Sequence, residues 1–321
     1  MGWNRRLKLT VSFAALLFLL PFHYDKAAAE SGSVIPMGQS IGIQMDLSGV
    51  FITGDVLVND ETWLKAGDSI RQLGDKEIKT VQDVESILPQ VKQEQIRLLI
   101  VRDGEESVVN ADSNALKRLF PFLKDRTEGT GTLTYVDPQK GTYGALGHQI
   151  VDSSLKSPPS FKDGAIYLSE IEQIKKSVPG VPGYKISSIV KDEDYLGKIR
   201  TNGIYGIFGT WNDASKKVLA EPLEIMQPAE LQMGEAQIYT TVKGTDVGIF
   251  TIKITKIEEE QFHFILTDSK LLAETGGILQ GMSGSPVIQN GKFVGAVTHM
   301  FVDEPQKGAG LFLVTMRHGE K

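Results

Sequence analysis

The stretch Gly281-Met282-Ser283-Gly284-Ser285-Pro286, running straight into Val287-Ile288-Gln289-Asn290-Gly291-Lys292-Phe293-Val294-Gly295-Ala296-Val297-Thr298, constrains this chain more than any other. Glycines at 281 and 284 remove Cβ from both sides of Ser283, so the backbone can turn sharply and aim the N–H groups of Gly281 and Ser283 at one point. Asn290-Gly291 between two apolar runs is the sequence of a two-residue hairpin, because a type I′ turn needs positive φ at both central positions. Ser283 is therefore a candidate nucleophile held by a hairpin, with Gly281 and Ser283 as candidate oxyanion-hole donors. A serine hydroxyl is a weak nucleophile, so the reading also requires a base within hydrogen-bond reach.

Five histidines bound the choice of that base: His23, His148, His263, His299 and His318. His23 falls in a terminal apolar segment, and His318 stands three residues from the carboxyl end. His263 lies in the alternating run Phe262-His263-Phe264-Ile265-Leu266, which reads as one face of a strand. His299 follows the hairpin and could approach the serine, or satisfy a loop. His148, in Gly144-Ala145-Leu146-Gly147-His148, stands directly after a strand and a glycine, where a base is well placed; this position alone serves a structural role equally well. No pair of metal ligands with His-Glu-x-x-His spacing exists, so neither a metal nor another cofactor is expected.

With 321 residues, ordinary charge content and a formal net charge of −6, the chain has core enough for two domains and no basic stripe to attract nucleic acid. Cysteine is absent, which excludes disulfides and thiolate metal sites. Arg5, Arg6 and Lys8 precede an apolar run over residues 9–22, and Ala27-Ala28-Ala29 offers small residues for cleavage. The run is shorter than the roughly twenty residues a spanning helix needs, so residues 1–29 are expected to be a signal peptide for export, with a membrane anchor as the alternative.

Residues 34–110 alternate short β-type runs with one helical pattern, apolar at 81, 84, 87, 88 and 91. This order resembles a PDZ domain. Ser40-Ile41-Gly42-Ile43 would stand as its carboxylate-binding loop, and Leu64-Lys65-Ala66-Gly67-Asp68-Ser69-Ile70 is similar to its Ala-Gly-Asp segment. Such a module adds a peptide, or part of its own chain, as an extra strand at a sheet edge. Alternatively, the glycines only make turns. Residues 111–128 read as a linker with a short docking helix, and from 129 to 321 short strands punctuated by Gly, Pro and Asn imply a β-barrel architecture.

The Ser283 segment resembles Gly-Asp-Ser-Gly-Gly-Pro of chymotrypsin-like enzymes, departing at Met282 and Ser285. Four further runs make a closer match: Gly129-Thr130-Gly131-Thr132-Leu133-Thr134-Tyr135, Tyr143-Gly144-Ala145-Leu146-Gly147-His148, Gly206-Ile207-Phe208-Gly209-Thr210, and Thr267-Asp268-Ser269-Lys270-Leu271-Leu272-Ala273-Glu274-Thr275-Gly276-Gly277-Ile278-Leu279-Gln280 leading into the serine turn. With Gly295-Ala296-Val297-Thr298-His299, these resemble the stage IV sporulation protein B family of PDZ-bearing serine peptidases. The resemblance implies a mainly β chain, a small PDZ-like module followed by a chymotrypsin-like double β-barrel, and a triad of Ser283, His148 and Asp268. Asp152, soon after His148, competes for the third place.

The resemblance further implies export into the space between forespore and mother-cell membranes. The substrate would be a membrane-bound regulator of an intramembrane protease, whose cleavage triggers late sigma-factor activation. Two departures bear on control by self-processing: only some thirty residues precede the PDZ-like part, and the chain stops soon after Met316. A catalytically silent peptide-binding scaffold and a general envelope quality-control protease are the rival functions.

Overall fold

The computed structural model describes residues 32–155, 158, 160–189, 194–212 and 220–320. The export segment expected over residues 1–29 lies outside them. The fold is mainly β, built on two closed rings of antiparallel strands. In the first, Ser40–Ile52 pairs with Leu123–Asp137, which pairs with Thr142–Ala145, then Gly206–Trp211, Tyr195–Gly203 and Phe161–Lys175, and the last closes on Ser40–Ile52. The second barrel runs Gly234–Lys243, Asp246–Ile257, Gln261–Leu266, Glu304–Phe312, Lys292–Phe301 and Pro286–Gln289. Its last strand pairs back onto its first. This is the double barrel that the resemblance implies, with one strand of the first ring drawn from before residue 129.

Period-two patterning sets which side chains fill each ring. Phe262, Phe264 and Leu266 are buried in the second barrel, while His263 and Ile265 between them are half-exposed, as the alternating run requires. Ile41, Ile43, Leu133, Tyr143, Ile166 and Ile199 fill the first. Between the barrels, Tyr135 and Phe208 pack with Ile288, Phe293 and Ala296 and with Leu313 and Met316 of the terminal helix Leu313–Met316. Just beyond it, buried Arg317 reaches Asp137 at 2.8 Å and pairs with Glu320, so the chain leaving the second barrel is tied to the first.

The structure corrects the expected boundary between module and barrel. Ser40, Ile41, Gly42 and Ile43 form no loop; they lie in the strand Ser40–Ile52, buried, with Ser40 to Ile43 paired to residues 129–132 on one side and Ile41 to Ile43 paired to residues 166–168 on the other. Backbone groups spent on two ladders have no N–H left to hold a carboxylate. The residues expected to precede the barrel thus supply one of its staves, and residues 123–128 of the expected linker already belong to the neighbouring strand.

The small module is an insertion between these two staves. It holds Ser69–Leu73, Gln95–Arg102, Glu105–Asp112 and the helix Val81–Ile87 around its own core of Val50, Ile70, Val84, Leu98, Ile100 and Leu119. Thr80 and Asp83 form a capping box at the helix start, and Pro89, which lacks an N–H, ends the α-helical turns short of the Val91 that periodicity suggested. Asp68 of the Ala-Gly-Asp segment is buried, accepts the Lys65 N–H at 2.7 Å and grips Arg102, so this segment closes a turn. Among the described residues no helix is long and apolar enough to cross a membrane.

Candidate active site

Ser283 sits between the short strand Leu279–Gln280 and the strand Pro286–Gln289. Both barrels hold its turn. From the first, the Thr132 N–H donates to Ser283 O at 2.9 Å and Thr132 Oγ1 donates to Gly281 O at 2.7 Å. From the second, Val297 O accepts the Gly284 N–H at 2.7 Å. Met282 O accepts the Ser285 N–H at 2.9 Å. A trans peptide points its C=O and N–H in opposite directions, so that bond turns the Ser283 N–H away from Ser285. Of the two departures from the chymotrypsin-like pattern, Met282 is buried in the second-barrel core, while nothing in the structure explains the hydroxyl of Ser285. An aspartate in place of Met282 would be buried among apolar side chains at high cost.

His148 arrives from the other barrel. The strand Thr142–Ala145 ends in Leu146 and Gly147 with φ of 75° and 76°, and this left-handed pair turns the chain toward Thr298. The approach is close enough that a Cβ at Gly147 would lie 2.7 Å from Thr298 Cγ2. Ser283 Oγ donates to the Thr298 carbonyl at 3.2 Å. Ser283 and Gly147, the residue before His148, thus converge on Thr298, while no hydrogen bond among the described residues joins Ser283 to His148. His299, next to Thr298, sets its ring centroid 6.0 Å from that of His148. Burial, and then the neighbouring His148, hold the His299 pKa below the usual imidazole range.

Neither expected carboxylate completes this pair. Asp268 is the N-cap of the helix Ser269–Thr275: its Oδ1 accepts the Leu271 N–H at 2.9 Å, and its Oδ2 lies 3.5 Å from the Thr251 N–H. An aspartate there satisfies orphan helix donors, which is reason enough for its position. Asp152 accepts from Thr127 Oγ1 and Ser154 and pairs with Lys124. Burial raises its pKa, but Lys124, Ser154 and Thr127 outweigh that and hold it well below the carboxylate range. No hydrogen bond among the described residues joins either aspartate to His148. Nor do any three His, Asp or Glu side chains among them form a group suited to a metal ion.

One residue beside the turn escapes sequence reasoning. Lys185, on the strand Gly183–Ile189, is 6% exposed, while its neighbours Tyr184 and Ile186 face solvent at 38% and 39%, the reverse of what polarity suggests. Its methylenes pass 3.3–3.6 Å from where a Gly281 Cβ would be, and among the described residues its Nζ meets only Thr240 Oγ1, at 3.1 Å. With no carboxylate among the described residues bonded to it, burial lowers its pKa from 10.5 to about 7.

Between those two values the unfolded chain keeps a proton that the folded chain has shed. Stability should therefore rise with pH from about 7 towards 10 and be lowest below 7. Lys185→Met should flatten that rise and add on the order of 1–3 kcal/mol at pH 6. Urea unfolding of both proteins at pH 6 and pH 9 checks this; equal pH dependence in the two would refute it.

With this geometry in view, comparison with known proteins gives the chain its place. The profile of the SpoIVB peptidase S55 family matches residues 117–317. No curated protein sequence matches the chain. Among solved structures, the chain is similar to the Rv3671c protease in its inactive form, at 10% identity and a TM-score of 0.36, covering 59% of this chain and 82% of that one. It is also similar to the active form of the same protease from M. tuberculosis, at 12% identity and a TM-score of 0.34, covering 60% and 73%. The matched family segment takes in more than half of the chain, including His148, Ser283, all of the second barrel and five of the first barrel's six strands, the strand Ser40–Ile52 lying before it. The chain accordingly belongs to the SpoIVB peptidase S55 family and is a serine peptidase.

Proposed function

We propose that Ser283 is the nucleophile and His148 the general base of this peptidase, and that it acts outside the cytoplasmic membrane on a membrane-bound regulatory protein. The observation that carries the reading is the convergence of the Ser283 turn and the Leu146-Gly147-His148 turn on Thr298, within a chain of the SpoIVB family. In the reaction Ser283 Oγ attacks the scissile carbonyl while His148 takes its proton, and the N–H groups of Gly281 and Ser283 receive the developing oxyanion. His148 then gives the proton to the leaving amine, and water repeats the sequence to release the acyl group.

The finer role follows the family. The substrate is the extracytoplasmic part of a regulator of an intramembrane protease, cut between the forespore and mother-cell membranes to trigger late sigma-factor activation. The basic and apolar pattern of residues 1–29 supports export. The inserted module, with a core of its own, is suited to presenting a peptide or restraining the peptidase. Incubation of the purified full chain with the regulator in detergent tests this. A single cut, with unfolded control proteins left intact, is expected. Degradation of many unfolded proteins would favour a quality-control protease, and tight binding of the regulator without cleavage would favour a scaffold.

A further inference from the structure

We infer that Lys185 is a positioning residue for the oxyanion donors, and that it holds Gly281 in place only while its amine is uncharged. The strand Gly183–Ile189 runs parallel to Leu279–Gln280, with Gly183 paired to Leu279 and Tyr184 to Gln280, so one step further along that register sets Lys185 against Gly281. Ser177 fastens the two runs together. Its Oγ donates to Ile278 O at 2.6 Å and accepts the Gly183 N–H at 2.8 Å, and its own N–H donates to Thr275 O at 2.8 Å. Beyond this ladder the stem of Lys185 backs the turn: the three heavy atoms nearest the place of a Gly281 Cβ are its Cδ, Cγ and Cβ, at 3.3, 3.5 and 3.6 Å. Gly281 has φ of 95°, and Thr132 Oγ1 holds its carbonyl from the first barrel. With the carbonyl and the Cα both held, the Gly281 N–H keeps its aim.

The far end of this side chain has no place for a charge. An ammonium carries three donors, yet among the described residues Nζ meets one acceptor, Thr240 Oγ1, itself fully buried; a neutral amine also offers a lone pair to which the Thr240 hydroxyl can donate. Ile174 lies opposite Lys185 on the strand Phe161–Lys175, whose Glu172 and Lys175 are exposed, and on Gly234–Lys243 the charged Glu235 and Lys243 are exposed as well. The run 279–283 contributes no acidic or basic side chain. Burial alone acts on the amine, and it brings the pKa to about 7. Below that pH, Nζ gains a charge that stays uncompensated unless it moves toward water, and the strand that carries it moves too. The pairing with Leu279 and Gln280 and the wall behind Gly281 then loosen together, and the oxyanion donors lose their aim. Acid thus acts on the peptidase at a second place, apart from protonation of His148.

The inference rests on Ser283 and His148 being the reacting pair, which fluorophosphonate labelling of the wild type at pH 9 tests by itself. Below pH 7, log(kcat/KM) of the wild type should fall more steeply, by one proton, than that of Lys185→Met, which keeps the stem and removes the ionisable amine. His148 and His299 contribute equally to both profiles. With a pKa of about 7, about one-tenth of Lys185 is unprotonated at pH 6, so Lys185→Met, scaled to its own rate at pH 9, should be about 10-fold more active there than the wild type. Lys185→Ala, which empties the space behind Gly281, should lower kcat by about 10- to 100-fold at every pH and leave KM little changed. Equal acid limbs in the wild type and Lys185→Met, both folded by circular dichroism, would overturn the inference, as would wild-type kcat in a folded Lys185→Ala. A wild type that does not label at pH 9 would instead overturn the reading of Ser283 and His148. Should the lysine variants not fold, Thr240→Val decides: it removes the acceptor for the ammonium and should move the acid limb to lower pH, and an unmoved limb would refute the inference.

Discussion

Ser283→Ala is expected to remain folded and to hydrolyse its substrate on the order of 10⁶-fold more slowly, with no uptake of a fluorophosphonate probe. Among the described residues the hydroxyl makes one hydrogen bond, to Thr298 O, so its loss removes little from the fold. The turn around it is held by other groups: Thr132 grips Gly281 O and Ser283 O, and Val297 takes the Gly284 N–H. A nearly unchanged melting temperature with lost hydrolysis would therefore be chemical in origin. His148→Ala should cost about as much, and the double variant little more, because nucleophile and base act as one unit. Residual hydrolysis of about 10³-fold over water would remain with the oxyanion donors. Wild-type labelling by Ser283→Ala would show that another residue is the nucleophile.

The serine turn, its hairpin, and the strands of the second barrel are legible in the sequence because each is a local signal. Asn290 and Gly291 have φ of 52° and 72°, as a type I′ turn demands, and the alternation in residues 262–266 matches their burial. Two features fail for physical reasons. Ser40–Ile52 reads as two short strands of a module, yet its first half is buried by partners that lie some ninety to one hundred and twenty positions away, which no local pattern reports. Tyr195–Gly203 holds two glycines and two cations and gives little apolar periodicity. Asp268 shows the opposite failure. The family resemblance named it, but in the structure its side chain accepts the Leu271 N–H at the start of a helix, a local demand that the resemblance does not report.

Gly284→Ala should cost both stability and activity while leaving Ser283 and His148 chemically intact. Gly284 has φ of 95°, and a Cβ there would lie 2.1 Å from Thr132 O, 2.6 Å from Leu146 N and 3.0 Å from Leu146 Cα. All three are backbone atoms of the first barrel, so no side chain can swing away. Thr132 O is also the acceptor for the Leu146 N–H at 3.3 Å, and separating these groups moves the turn that delivers His148. Overpacking of about 1–3 kcal/mol adds to about 1–2 kcal/mol for a left-handed non-glycine residue. Displacement of the base by about 1 Å would take roughly 10²-fold from kcat/KM. Gly291→Ala provides the control: its φ is 72°, but nothing lies within 4 Å of the added carbon, so only the backbone strain should appear and hydrolysis should persist. Equal melting temperatures and equal kcat/KM in the two variants would mean that Gly284 does not set the spacing between the barrels at the serine turn.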